Sequence, residues 1–325
     1  MVVQVPPPCV IGVDLGGTKL LAGAVEPETL TVHHRTRRQA FGLSQADLIE
    51  AVVDAVEEAR AAVGGEVAAV GFGIPCTFDR RTGMAVQAVN LPLADLAFGA
   101  LMTERLGIPV EVDNDANCAV WAEARAGIAA GAQEVAMLTI GTGIGGGLVL
   151  GGRLYRGAVG AAAELGHMVV DIDGPPCQGN CPNWGCLEAV ASGSALVREA
   201  ALRVARQPDT LLGVAMEDGQ ALTGPLITEL AFAGDPVAVA ALEVIGVRLG
   251  VGISNLVNIF NPEVVVIGGG VVAAGEMFLA PARVSMRARA LQPGRDLVRV
   301  EAAAFGPEAG MIGAALLAAD PEAAE

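Results

Sequence analysis

"CVIGVDLGGTKLLAGAV" (residues 9–25) and "EVAMLTIGTGIGGGLVLGGRLY" (134–155) follow one pattern. Each is a run of β-branched and small apolar residues, a glycine turn, and a second apolar run, which reads as strand, turn, strand. They start about 125 residues apart, at 9 and 134, and this spacing suggests two related halves facing each other. A third stretch, "PEVVVIGGGVV" (262–272), reads as a buried strand running into three glycines.

The surroundings alternate strand and helix. A helix is predicted over 44–63, where Ser44 and Asp47 make a capping-box-like start and Leu48, Ile49, Val52, Val53, Val56 and Ala59 recur at helical spacing. Strands are predicted over 67–74, ending at Pro75, and over 110–112. Helices follow over 116–126 and, at the end of the chain, over 310–319. Such alternation implies an α/β fold with a largely parallel sheet. No low-complexity linker marks a boundary, so the division rests on the repeat. It gives a small α/β domain over 1–116 joined by the C-terminal helix (about 305–325), and a larger one over 117–304.

Composition narrows the function classes. With 325 residues, 53% of them apolar, the chain can fill two cores. The formal net charge of −16, from 20 basic and 36 acidic residues, leaves no basic excess to neutralise phosphates, so nucleic acid and anionic lipid are not expected partners. The uncharged run 135–152 holds seven glycines and would make a poor spanning helix. "MVVQVPPPC" lacks the charged start of a secretion signal. Six cysteines, three of them clustered, do not suggest a disulfide scaffold. A cytoplasmic, membrane-free protein is the expectation.

Several stretches carry chemistry. In Asp14-Leu15-Gly16-Gly17-Thr18-Lys19 the glycines let backbone N–H groups approach an anion, Thr18 and Lys19 can donate to it, and Asp14 can hold a metal-bound water. The same residues would also serve an ordinary tight hairpin, and the Walker A spacing is missing. Residues 141–147, with five glycines in seven, add a second side to a polyphosphate cradle that includes Gly141, Thr142 and Gly143. The Gly268-Gly269-Gly270 turn suits close backbone approach to a flat ligand such as adenine. Asp113, Asn114 and Asp115 stand between a strand and a helix, where a cap needs only one such residue. At the helix start Asp115 stays ionised and can accept a proton from a substrate hydroxyl. Glu164 and His167, three apart, and Glu188 offer acceptor atoms for a polyhydroxyl ligand, although surface ion pairs would use the same residues. The stretch 166–188, "GHMVVDIDGPPCQGNCPNWGCLE", holds His167, Cys177, Cys181 and Cys186, and it fits a zinc finger, a redox switch or a support for chemistry elsewhere. Cys9, Cys76 and Cys118 read as small buried hydrophobes. The basic residues around His33 and His34, and those at 283–299, read as solvated faces.

In these residues the chain resembles the ROK family (repressors, open reading frames, kinases) of bacterial sugar kinases. The resemblance runs through "DLGGTK", "DNDAN", "GTGIGGG", "ELGHM", the cysteine cluster ending "GCLE" and "VVIGGG", in family order over nearly the whole chain. It implies the actin-like/hexokinase-like ATPase fold, two duplicated RNase H-like α/β domains closing over a cleft. It also implies Asp115 as general base, with Asn90, Asn114, Glu164, His167 and Glu188 on the sugar. Gly16, Gly17, Thr18, Lys19, Gly141, Thr142, Gly143, Gly269 and Gly270 would hold ATP, with Mg²⁺ near Asp14. His167, Cys177, Cys181 and Cys186 resemble the family's structural Zn²⁺ site, where four protein ligands leave no position for a reactive water and the bound imidazole is held in one orientation. One departure is present. The usual family spacing is C-x-C-x4-C and here it is C-x3-C-x4-C, with Gly179 where the first cysteine normally stands. The longer, Gly- and Pro-containing loop then has to bring Cys177 to the metal.

The function expected from this resemblance is ATP-dependent phosphorylation of a hexose at the 6-hydroxyl, glucose first, by a homodimer or homotetramer whose closing domains exclude water. An N-acetylmannosamine, other N-acetylhexosamine or fructose kinase is the alternative. The loop "PCTFD" (75–79), where Cys76-Thr77 replaces the family's Gly-Pro, and the Asn90 region are expected to set that choice. A non-enzymatic sugar-sensing repressor is a further class. Its helix-turn-helix segment would precede "DLGGTK", which starts here at residue 14.

Overall fold

The computed structural model describes residues 9–16, 19–64, 66–88, 91–93 and 95–324. By its packing the chain forms two compact units, one of Met1–Gln133, Gly147–Ala163 and Ala304–Glu325, the other of Glu134–Gly146 and Glu164–Ala303.

The first unit opens with β1 (Cys9–Leu15), β2 (Lys19–Val25), β3 (Val32–Gln39), α1 (Gln45–Val63) and β4 (Val67–Ile74). It continues with the small hairpin β5 (Cys76–Asp79) and β6 (Met84–Ala88), then α2 (Phe98–Leu106), β7 (Val110–Asn114) and α3 (Asp115–Ala126). Ser44 caps α1 by accepting from the Asp47 amide. The sheet order is β3-β2-β1-β4-β7. It is mixed rather than largely parallel. Gly16 N donates to Lys19 O at 2.9 Å, and this tight turn reverses the chain so that β1, β2 and β3 run antiparallel. Parallel pairing appears only where a helix intervenes, between β1 and β4 and between β4 and β7. Leu48, Val52 and Val56 of α1 and Phe98 and Met102 of α2 are buried with Phe72 in the core of this unit.

The chain then forms β8 (Val135–Ile140), β9 (Ile144–Leu150) and β10 (Arg153–Leu154), followed by α4 (Leu187–Ala191), α5 (Gly193–Val204), α6 (Leu211–Glu217), α7 (Gly224–Phe232) and α8 (Pro236–Phe260). Next come β11 (Val264–Gly268), α9 (Glu276–Arg287), α10 (Gly294–Leu297), β12 (Arg299–Ala302) and, last, α11 (Ala309–Ala319). The second sheet has the order β10-β9-β8-β11-β12, the same arrangement of a hairpin followed by two parallel strands. This duplication is the one the two glycine turns suggested. α8 is long and apolar enough to cross a membrane by length and composition, yet most of it is buried, so it reads as a core helix.

α11 joins the first unit through bare backbone. A side chain at Gly12 would strike Met311 O, one at Gly71 would strike Ala314 O, and one at Gly313 would strike Cys118 O. The last contact ties α3 to α11, and so α3 packs with the first unit. The boundary expected near 116 therefore differs from the packed units, whose first segment extends to Gln133 and regains Gly147–Ala163. Both sequence stretches pair or pack over long range, which no local pattern announces.

Candidate active site

Asp14 lies near the end of β1, against Gly310 in the first turn of α11. Burial, and then the negative charge of Asp115, push its carboxyl up to about 7. A divalent cation beside it would reverse both effects, so its chemistry fits the Mg²⁺ role. Gly16 closes the turn onto Lys19, which is exposed. Gly17, Thr18 and Asn90 lie outside the described residues.

The turn from β7 into α3 is locked on both sides of Asp115. Asn114 is the N-cap, its Oδ1 accepting from the amides of Ala116 (2.9 Å) and Asn117 (3.3 Å). Its amide nitrogen is thereby left on the opposite side of the group. Asp115 Oδ1 also accepts from Ala116 N at 2.9 Å. Asp113 is buried; its Oδ1 accepts from Asn114 N and Asn117 Nδ2, both at 2.8 Å, and its Oδ2 accepts from Arg156 Nε at 2.7 Å. Of the three polar residues in a row, one caps, one anchors, and Asp115 is held at the positive end of the helix.

In the second unit, Glu164 precedes a short 3-10 turn ending at His167, whose amide donates to Glu164 O at 3.0 Å. Glu188 stands in the first turn of α4 and accepts from Ile144 N at 2.8 Å. That reach requires Gly143, since a side chain there would occupy the Glu188 carboxylate position. The other oxygen, Oε1, is 3.6 Å from Cys177 Sγ. The hairpin glycine thus leaves room for a carboxylate.

The ligand atoms of His167, Cys177, Cys181 and Cys186 lie within 4.8 Å of one another. Around a tetrahedral zinc, sulfur–sulfur edges of ~3.8 Å and sulfur–nitrogen edges of ~3.6 Å are expected from the usual bond lengths. The observed Cys181–Cys186 separation is 3.9 Å and Cys177 Sγ is 3.5 Å from His167 Nδ1, so the donor set fits zinc. Cys177 reaches the group because the loop closes like a small hairpin: Pro176 pairs with Trp184, Cys177 N donates to Asn183 O, and Gly179 turns in the left-handed region at φ 59°. Burial and the neighbouring thiols push the Cys177 thiol well up, and a bound cation would pull it down.

A pocket of about 440 Å³ lies within the second unit, large enough for a nucleotide base and ribose. Gly141 and Thr142 of the β8–β9 turn and Gly270 after β11 line it, together with Ser194, Thr223 and Val271. Thr142 O accepts from Ser194 Oγ at 2.9 Å, and α5 and α7 both start at the pocket wall, capped by Ser192 and Thr223. Gly269 is not in the lining. It turns at φ 87° and lets the end of β11 approach the Ile140 backbone. Thr223 had a readable signal, a cap residue before Gly-Pro. Arg156 had none, because an arginine in a loop marks nothing by itself.

The ROK family model matches residues 10–321. The chain belongs to the ROK family. Among its relatives, the glucokinase of Streptomyces coelicolor is 37% identical over 319 residues, covering 96% of this chain and 98% of the relative. The solved structure of a ROK family glucokinase from Streptomyces griseus in complex with glucose and AMPPNP superposes with a TM-score of 0.85 at 37% identity, covering 96% of this chain and 99% of that one. A ROK family transcriptional regulator, a homologue of the E. coli MLC protein, also reaches 0.85, at 28% identity, with 95% of this chain and 77% of that chain covered. The fold is accordingly the actin-like/hexokinase-like ATPase fold of the ROK glucokinases.

Proposed function

We propose that this ROK protein is a sugar kinase that transfers the γ-phosphoryl group of ATP to the 6-hydroxyl of a hexose, with glucose the preferred acceptor. The observation that carries the proposal is the placement of Asp115, a carboxylate fixed at the start of α3 by the bonds of Asp113, Asn114 and Asn117. The likeness to glucokinases over nearly full length supports it.

Asp115 accepts the 6-hydroxyl proton as that oxygen bonds to the γ-phosphorus and the bond to the β-phosphate oxygen breaks, releasing ADP. Asn114 donates through its side-chain amide, while Glu164, His167 and Glu188 take the remaining sugar hydroxyls. The pocket beside Gly141, Thr142 and Gly270 holds the nucleotide. Asp14 would hold Mg²⁺, which when bound would supply charge neutralisation for the phosphates. His167 and the three cysteines would hold Zn²⁺, which when bound would tie down the 177–186 loop, and His167 keeps its Nε2 for a sugar oxygen.

An ADP-release assay with Mg-ATP and a panel of hexoses tests this. Glucose is expected to give the highest kcat/KM, with slower turnover of fructose and N-acetylmannosamine. Preference for another hexose would correct the substrate and keep the reaction. No turnover with any sugar would refute the kinase reading.

A further inference from the structure

Given the kinase function proposed above, we infer that the buried Asp113–Arg156 ion pair is the positioning device for the Asn114–Asp115 turn, with Arg156 as its charged anchor.

The bonds around Asp113 lead to this. One of its oxygens holds the Asn114 amide and the Asn117 side chain, and Asn114 in turn caps α3 through the Ala116 and Asn117 amides. Asp115 therefore sits inside a ring of bonds made by its neighbours on either side. The other Asp113 oxygen takes Arg156 Nε at 2.7 Å, and Arg80 Nη1 stands 3.9 Å away. The Arg156 side chain is only 12% exposed. It is braced at its far end by Ala324 O, which accepts from Nη1 at 3.0 Å. Its own loop is closed by Ala162 N donating to Arg156 O and is tied to the β5–β6 turn by Arg80 N donating to Val159 O.

Charge makes Arg156 necessary. Of the charged groups that act on the Cys118 thiol among the described residues, Asp14, Asp113 and Asp115 are carboxylates and Arg156 is the cation. Removing Arg156 leaves the buried Asp113 carboxylate with the 3.9 Å contact to the more exposed Arg80 in place of a 2.7 Å guanidinium bond, and a buried carboxylate so weakly paired turns toward water or takes a proton. Either change releases Asn114 N and Asn117 Nδ2, and the Asp115 carboxylate moves with them.

The test compares Arg156→Gln and Arg156→Lys with the wild type. A cavity of about 110 Å³ beside the pair gives water room to replace lost guanidinium atoms, which favours folded variants. In Arg156→Gln, kcat is expected to fall by about 10²-fold, the cost of a misplaced catalytic group, while the ATP KM stays within about twofold of wild type. Arg156→Lys is expected to recover part of kcat. Hydrogen exchange of the peptide spanning 113–118 reads the same coupling without turnover. Its Asn114, Ala116 and Asn117 amides are expected to exchange at least about tenfold faster in Arg156→Gln. Wild-type kcat and exchange in Arg156→Gln would overturn the inference, as would losses that only track the folded fraction by circular dichroism. A lysine variant no better than the glutamine one would also overturn it. If the wild type turned over no sugar, the function would fail while the exchange result still decided the role of the pair.

Discussion

Asp14 illustrates what burial does to a single side chain. Its carboxyl, ordinarily near 4, is pushed up to about 7 by burial and the Asp115 charge. The folded protein therefore keeps a proton that the unfolded chain loses between those values. Stability from this group is undiminished below pH 4 and declines as pH rises through 7, by as much as a few kcal/mol. In metal-free buffer, Asp14→Asn, which cannot ionise, is expected to melt above wild type at pH 8, with the gap closing toward pH 5. A gap independent of pH, measured by thermal melts across that range, would contradict the burial account. The residues themselves were legible at this scale: Asp14, Asp115, Glu164, His167 and Glu188 are readable as chemistry-bearing types. Their partners were not. Glu188 bonds the Ile144 amide and Asp113 bonds Arg156, each across a long loop, and no spacing in the sequence encodes such pairs.

The loop 177–186 and the caps of α3 and α5 are the informative elements. Sequence spacing left open whether Cys177 reaches its partners; the Pro176–Trp184 pairing and the left-handed Gly179 bring it within 3.5 Å of His167 Nδ1. A turn at Gly179 folds the longer loop back, and the four candidate ligand atoms gather within 4.8 Å of one another. We expect about one zinc per chain by mass spectrometry of the metal. Cys177→Ser should surrender that zinc to a chelator that wild type withstands, and its melting temperature should drop. Full zinc retention in Cys177→Ser would contradict a ligand role for that cysteine. Helix starts were readable where a cap residue stood before the apolar pattern, as at Ser44. Asn114 was harder, because three polar residues in a row hid which one caps.

For the whole molecule, the duplicated glycine hairpins carried the fold. The strand orders β3-β2-β1-β4-β7 and β10-β9-β8-β11-β12 follow from two tight turns, each continued by two parallel strands. The mixed character of the sheets was legible too, since a turn that short reverses the chain, but helix–strand alternation pointed toward parallel pairing. Membership of the packed units was legible only in part: the expected division joined the C-terminal helix to the first domain, as the packing does, but placed α3 in the second. α3 and α11 join the first unit through glycine contacts at Gly12, Gly71 and Gly313, and these depend on which backbones cross, information that resides in tertiary packing. The pocket of the second unit likewise gathers Gly141, Ser194, Thr223 and Gly270 from segments more than a hundred residues apart in the extreme.

All three scales meet at Asp115, where residue type, helix start and long-range anchoring combine to hold one carboxylate. The most direct measurement is kcat for ADP release, with the preferred hexose, by wild type and Asp115→Asn, alongside calorimetric binding of that sugar. Removal of a general base is expected to lower kcat by about 10²–10⁴-fold, with the sugar still bound. Turnover near the wild-type rate in Asp115→Asn would contradict the account.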